Sequence, residues 1–236
     1  LPVTPPFTEG RMPIDVIAED VAAYDTDVLV EGTLWESGHR ATAWCEGTFL
    51  ARLRADGTEI WRQILPVCSY TPAGIARVGD RIVLVRDAER PVAWLGSEVG
   101  GGRADRRRVL AFAFASDGTP AWGRDLGEGQ FGRAAESGEG TFMVSFSAEG
   151  PGSCNGGACT GPSLALCALD EKGNLPWTAT ASVPPLASPD PAVLDGDVLL
   201  AEPDPKAGWL LMRHDPQGGP VRVVASGLGA YAEAYV

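Results

Sequence analysis

Three stretches of the chain share one plan: TFLARLRADGTEIWRQIL (Thr48–Leu65), RVLAFAFASDGTPAWGRDL (Arg108–Leu126) and SLALCALDEKGNLPWTATAS (Ser163–Ser182). Aligned on Gly57, Gly118 and Gly173, each places a tryptophan four residues later, at Trp61, Trp122 and Trp177. A weaker fourth copy spans Gly208–Ser226, with Gly218 at the glycine and Arg222 where the others have tryptophan. Alternating apolar residues, then a polar turn containing glycine, then a second apolar run predict two antiparallel strands per copy. Such a chain is constrained to be a repeat of β-hairpins.

A second unit precedes each of these: AAYDTDVLVE from Ala22, ARVGDRIVLV from Ala76, AESGEGTFMV from Ala135 and AVLDGDVLLA from Ala192. The starting alanines are 54, 59 and 57 residues apart. Each repeat therefore holds two hairpins, or four strands, the period of β-propeller blades. Alanine at the head of all four innermost strands suits a crowded axis.

The segments LARLRADGTEIW, AFAFASDGTPAW and LCALDEKGNLPW resemble the blades of the quinoprotein-like (PQQ-like) β-propeller superfamily and the Asp-Gly repeats of secreted bacterial propellers. The resemblance covers roughly Asp15–Ser226 and implies an all-β fold of four blades, each of four antiparallel strands, alone or within a larger ring. It also implies a packing role for the tryptophans, which dock against the next blade. The expected division is an extended, proline-rich arm over 1–13 and a propeller over 14–236. Its blades lie near 15–65, 73–127, 131–182 and 187–226, with a terminal strand at 230–236.

Composition narrows the function. The chain has 236 residues, 31 acidic against 19 basic, for a net charge of −12. That charge disfavours a nucleic-acid partner. The longest apolar run, Val109–Ala115, is far too short to span a membrane as a helix. The LPVTPP start suggests a processed or trimmed product. Cys45, Cys68, Cys154 and Cys159 fall at expected loops, which favours an extracellular, periplasmic or cell-surface location. Cys45 and Cys68 are expected to pair, the alternative being free thiols. Cys154 and Cys159 are expected to close a small local disulfide, the alternative being a zinc site that lacks further ligands. Cys167 lies at a core register and is expected to be an inert thiol.

No nucleophile–base pattern, phosphate-binding glycine loop or metal-ligand spacing points to a reaction, and no cofactor is expected. The long loops following the second strand of each repeat are Glu36–Gly47, Asp87–Arg107 and Ser147–Pro162, with a short Glu202–Ala207 in the fourth. These carry the candidate binding residues: Trp35, Trp44, Trp94, and Arg106, Arg107 and Arg108 of the only basic run. Tryptophans anchor binding surfaces or pin their own loops; arginines dock anionic partners or balance local acid. Shortening the Asp87–Arg107 loop is expected to weaken binding with little effect on stability. The leading expectation is a non-catalytic binding scaffold for a protein or carbohydrate partner. The alternatives are a quinoprotein-like oxidoreductase and a structural subunit of a larger assembly.

Overall fold

The computed structural model describes residues 14–36, 45–69, 74–100, 106–136, 141–148, 163–181, 192–194, 197–204, 208–214 and 222–227. These residues are all strands and turns, without a helix. The first sheet is an antiparallel meander of β1 (Ile14–Tyr24), β2 (Asp27–Glu36), β3 (Cys45–Arg54) and β4 (Glu59–Leu65). The second runs β5 (Gly74–Val78), β6 (Arg81–Ala88), then β9 (Arg108–Ala115) and the first part of β10 (Pro120–Glu136). Between β6 and β9, β7 (Val92–Trp94) and β8 (Ser97–Val99) form a separate hairpin. The third sheet is the rest of β10 with β11 (Thr141–Ala148), β12 (Ser163–Asp170) and β13 (Trp177–Ala181). The fourth is β14 (Ala192–Leu194), β15 (Asp197–Asp204), β16 (Gly208–His214) and β17 (Arg222–Gly227). Among the described residues these sheets close no barrel or ring.

Strand β10 serves two sheets, pairing with β9 up to Glu128 and with β11 from Gly129. Irregular registers at Asp125/Gly127 and Gln130/Arg133 let it bend without ending. Gly127 takes φ 133°, and its N–H donates to Asp125 Oδ1 at 3.0 Å. A connecting loop expected from sequence between the second and third units is thus replaced by continuous strand.

The three repeated turns are superimposable in their bonding. Arg54, Ala115 and Asp170 each donate from N–H to the carbonyl four residues on, at 2.8, 2.8 and 3.0 Å. The glycine N–H in turn donates back to the same residue's carbonyl, at 2.9 Å in all three. Gly57, Gly118 and Gly173 have φ of 83°, 84° and 77°, a region closed to most side chains. At Gly118 and Gly173 there is a second reason for glycine, because an added Cβ would lie 2.7 or 2.8 Å from the indole of Trp61 or Trp122.

Period-2 alternation gives the second sheet two apolar faces. Ile82, Leu84, Leu110, Phe112 and Phe114 pack with Tyr24, Leu29, Leu50 and Leu65 of the first sheet. Val83, Val85, Val109, Ala111 and Ala113 pack with Val144, Ala165, Cys167 and Leu169 of the third. A tryptophan latches each interface. Trp61 Nε1 donates to the carbonyl of Ser116 at 2.9 Å, and Trp122 Nε1 to that of Glu171 at 2.8 Å. The side chain of Trp177 lies outside the described residues.

Candidate functional site

At one end of the first two sheets, short-range bonds hold the loops in place. Cys45, at the start of β3, forms a disulfide with Cys68 in the segment after β4. In that segment the Val67 carbonyl accepts from Thr48 Oγ1 at 2.8 Å, and buried Ser69 donates to buried Asp87 Oδ1 at 2.6 Å. Cys154 and Cys159 lie outside the described residues, as does Trp44. Cys167 is free and buried, and burial pushes its thiol up to about 12, so it stays protonated and unreactive.

The β7–β8 hairpin occupies the segment read from sequence as a loop. Its Trp94 meets Phe112 and Phe114 edge-on, with ring centroids at 5.0 and 5.4 Å. The indole also covers Gly123, where a Cβ would come within 2.7 Å of it. Val92 and Val99 are buried in the same cluster. The Trp94 N–H has no acceptor among the described residues, so apolar contact alone holds the ring. This packing corrects the expectation that shortening the loop spares stability, because the hairpin contributes three side chains to the core. Its tip is the opposite: Leu95, at φ 50°, is 58% exposed.

The arginine run reaches neighbouring acids. Arg106 Nη1 is 2.6 Å from Glu128, and Arg108 Nε is 2.6 Å from Asp125. Arg107 spans Glu89 at 3.0 Å and buried Asp87 at 3.6 Å. The run's charge is therefore largely balanced where it stands, and partly exposed ion pairs of this kind contribute little stability. Trp35 is half-buried at the end of β2, opposite Asp15 and Cys45. Trp35 and the arginines thus sit at the same end as the disulfide, whereas Trp94 packs further along β9, on Phe112 and Phe114 toward the β9–β10 turn.

The sequence reading passed over a buried polar cluster beneath this end. Arg86 leaves β6 with no exposed surface and enters the first sheet. Its Nη1 lies 2.9 Å from Glu19 Oε2, its Nη2 donates to Thr33 Oγ1 at 2.8 Å, and its Nε to Thr48 Oγ1 at 3.2 Å. Thr33 donates on to Glu19 Oε1 at 2.8 Å. Glu31 Oε1 is 2.9 Å from Arg86 Nη2, but neither Glu31 oxygen has a well-aligned hydrogen bond. Burial pushes Glu31 up to about 8; Arg86 pulls the other way and loses, while Glu19 and Asp20 add to the rise. The rise favours the protonated form of Glu31, and Glu19 is the carboxylate that bonds Arg86 Nη1. A signal for the cluster existed in sequence, since Glu31 and Arg86 each interrupt an apolar strand, VLVEGTL and RIVLVRDA. The two strands lie 55 residues apart (31 to 86), so only their packing brings the pair together.

Among the described residues no group of three His, Cys, Asp or Glu is placed to hold a metal ion. No family model and no curated protein matches the chain. Among solved structures it is similar to an ulvan lyase of a new polysaccharide lyase family, with a TM-score of 0.44 and 14% identity. It is similar to the same degree to that lyase bound to -[GlcA(1-4)Rha3S]-. Each match covers 89% of this chain and 55% of the other, so the chain spans about half their length.

Proposed function

We propose that the four sheets are consecutive β-propeller blades and that the chain is a secreted or cell-envelope binding scaffold. On this reading it takes a protein or carbohydrate partner at the exposed tip of the β7–β8 hairpin. The observation that supports this most directly is the contrast within the hairpin. Trp94, Val92 and Val99 clamp its base into the core, while Leu95 is held out to solvent at the tip. An apolar side chain displayed on a rigid support loses little freedom on binding, which is what makes a good anchor. The long β6–β9 insertion is of the kind that usually has a use. The blade reading is supported by the two indole latches and by successive antiparallel meanders, two of four strands flanking one of seven through which β10 runs continuously. The Cys45–Cys68 disulfide suits an oxidising compartment.

Binding to immobilised polysaccharides and to cell-envelope proteins, compared between the wild type, Leu95→Asp and Asp80→Ala, tests the proposal. Leu95→Asp should abolish binding with an unchanged melting temperature, and Asp80→Ala, in the β5–β6 turn, should keep it. Binding that survives Leu95→Asp and fails in Asp80→Ala would put the functional surface at the β5–β6 turn instead.

A further inference from the structure

The joints on the two sides of the second sheet are built differently. Toward the third sheet the backbone itself runs through: β10 pairs with β9 and then with β11, so the two sheets share one ladder of hydrogen bonds. Toward the first sheet no strand pairing crosses among the described residues, and side-chain contacts close the joint. At one end of it Trp61 and Arg52 both donate to the Ser116 carbonyl, at 2.9 and 3.0 Å. At the other end stands the Arg86 cluster. A joint made of side chains can part while every strand ladder stays intact, at less than the cost of unfolding the chain.

Charge decides what the Arg86 end tolerates. Glu31 on β2 is wholly buried, and its Oε1 lies 2.9 Å from Arg86 Nη2 on β6. That same Nη2 donates to Thr33, Nη1 bonds Glu19 and Nε donates to Thr48, so the aligned bonds of the guanidinium go to other groups. The charges that act on Glu31 from the elements around it are Glu19 and Asp20 of β1, Arg86 of β6 and Arg133 of β10. With Glu31 ionised, these make three carboxylates against two guanidiniums; with Glu31 protonated, the count is even. A surplus charge at a buried interface is relieved when the sheets part and water reaches it. Glu19, 18% exposed, is where the cluster meets solvent and where the proton leaves.

We infer that the joint between the first and second sheets is gated by the Glu31 proton: the joint closes over Arg86 when the carboxyl is protonated, and loss of that proton to solvent lets the first sheet part from the second with its strands intact. Burial fixes the direction. In the closed joint it pushes Glu31 up to about 8, whereas in the opened one the group returns toward its ordinary 4.5. Opening therefore becomes about tenfold easier per pH unit from 4.5 to 8 and levels off above 8. Neither the blade reading nor a partner at Leu95 enters this inference.

Proton exchange at two nitrogens of the full chain, corrected for the intrinsic rate at each pH, tests it: Arg86 Nε–H in the cluster, and the Trp61 indole N–H at the far end of the joint. Both should lose protection together, about tenfold per unit between roughly pH 5 and 8, and sub-denaturing urea should change neither. Glu31→Gln should make both independent of pH over that range. Should that variant not fold, the carboxyl carbon resonance of Glu31 in the wild type still decides, because it should titrate well above the ordinary carboxylate range. Protection that does not vary with pH overturns the inference, as does a slope that Glu31→Gln retains, or a urea dependence equal to that of whole-chain unfolding. A Glu31 resonance that titrates near 4.5 overturns it as well. So does a loss confined to Arg86, since the cluster would then rearrange without the sheets parting.

Discussion

The two faces of the second sheet solve the same packing problem with different chemistry. Toward the third sheet the described core is built chiefly of small or β-branched residues, Val83, Val85, Ala111 and Ala113 against Val144 and Ala165, with Leu169 beside them. Toward the first sheet, large residues such as Phe112 and Phe114 share the interface with Arg86, Glu31, Thr33 and Thr48. The latch is common to both, an indole on the next turn's carbonyl. Interchangeable apolar layers tolerate sliding, whereas a buried arginine with three acceptors in fixed places permits only one alignment. The charged interface lies directly under the disulfide, since Thr48, an Arg86 partner, also donates to the Val67 carbonyl beside Cys68. The difference indicates that position is held most tightly below the disulfide.

The strongest test of that comparison is removal of the latches. Trp61→Ala and Trp122→Ala should each cost about 3–5 kcal/mol in urea unfolding, through the cavity left and the carbonyl abandoned. Equal losses would show that the latch works independently of the interface beneath it. Arg86→Ala should cost about 3 kcal/mol or more, because it strands Glu19 beside a buried pocket. Glu31→Gln should cost much less, since Glu31 is already neutral. If the two substitutions cost the same, Glu31 is ionised and the charge assignment is reversed.

The pH dependence sharpens this further. The native state keeps the Glu31 proton up to about 8, whereas the unfolded chain releases it near 4.5. The contribution is therefore full below 4.5, falls as pH rises from 4.5 to 8, and is gone above that, at up to about 1.4 kcal/mol per unit. Glu31→Gln should flatten that part of the stability profile, while a matching substitution on the third-sheet side, Val85→Ala, should leave its slope intact. Reduction of the disulfide should cost about 2–4 kcal/mol and, because Cys45 and Cys68 border the charged interface only, should leave the Trp122 latch undisturbed by amide exchange. The smallest effect is expected at Asp117→Ala. That change removes the acceptor for the Thr119 N–H and should show as faster exchange of that amide rather than as a shift in melting.

Much of the architecture was readable before any coordinates. The turn glycines, the alternating strands and the tryptophans four residues on are local patterns, and a φ near 80° or a period of two leaves its mark on neighbouring letters. The Cys45–Cys68 pair could be anticipated because the loop after the second strand and the connection after the fourth, where they fell, share one face of such a repeat. The β7–β8 hairpin could not, since GSEVGGG reads as a flexible loop and only contact with Phe112 and Phe114 makes Trp94 a core residue. Nor did the arginine run reveal its partners, because Glu89, Asp125 and Glu128 are brought to it by strand pairing.

Sequence by itself thus determined the repeat, the β class and the residue at each turn, because those depend on backbone conformation and on neighbours two to four positions away. Tertiary structure alone decided that Arg86 is buried, that the pKa of Glu31 is raised and that Trp94 is a clamp. Those outcomes depend on desolvation and on which sheet lies opposite, and these arise only when residues distant in the chain exclude water from one another.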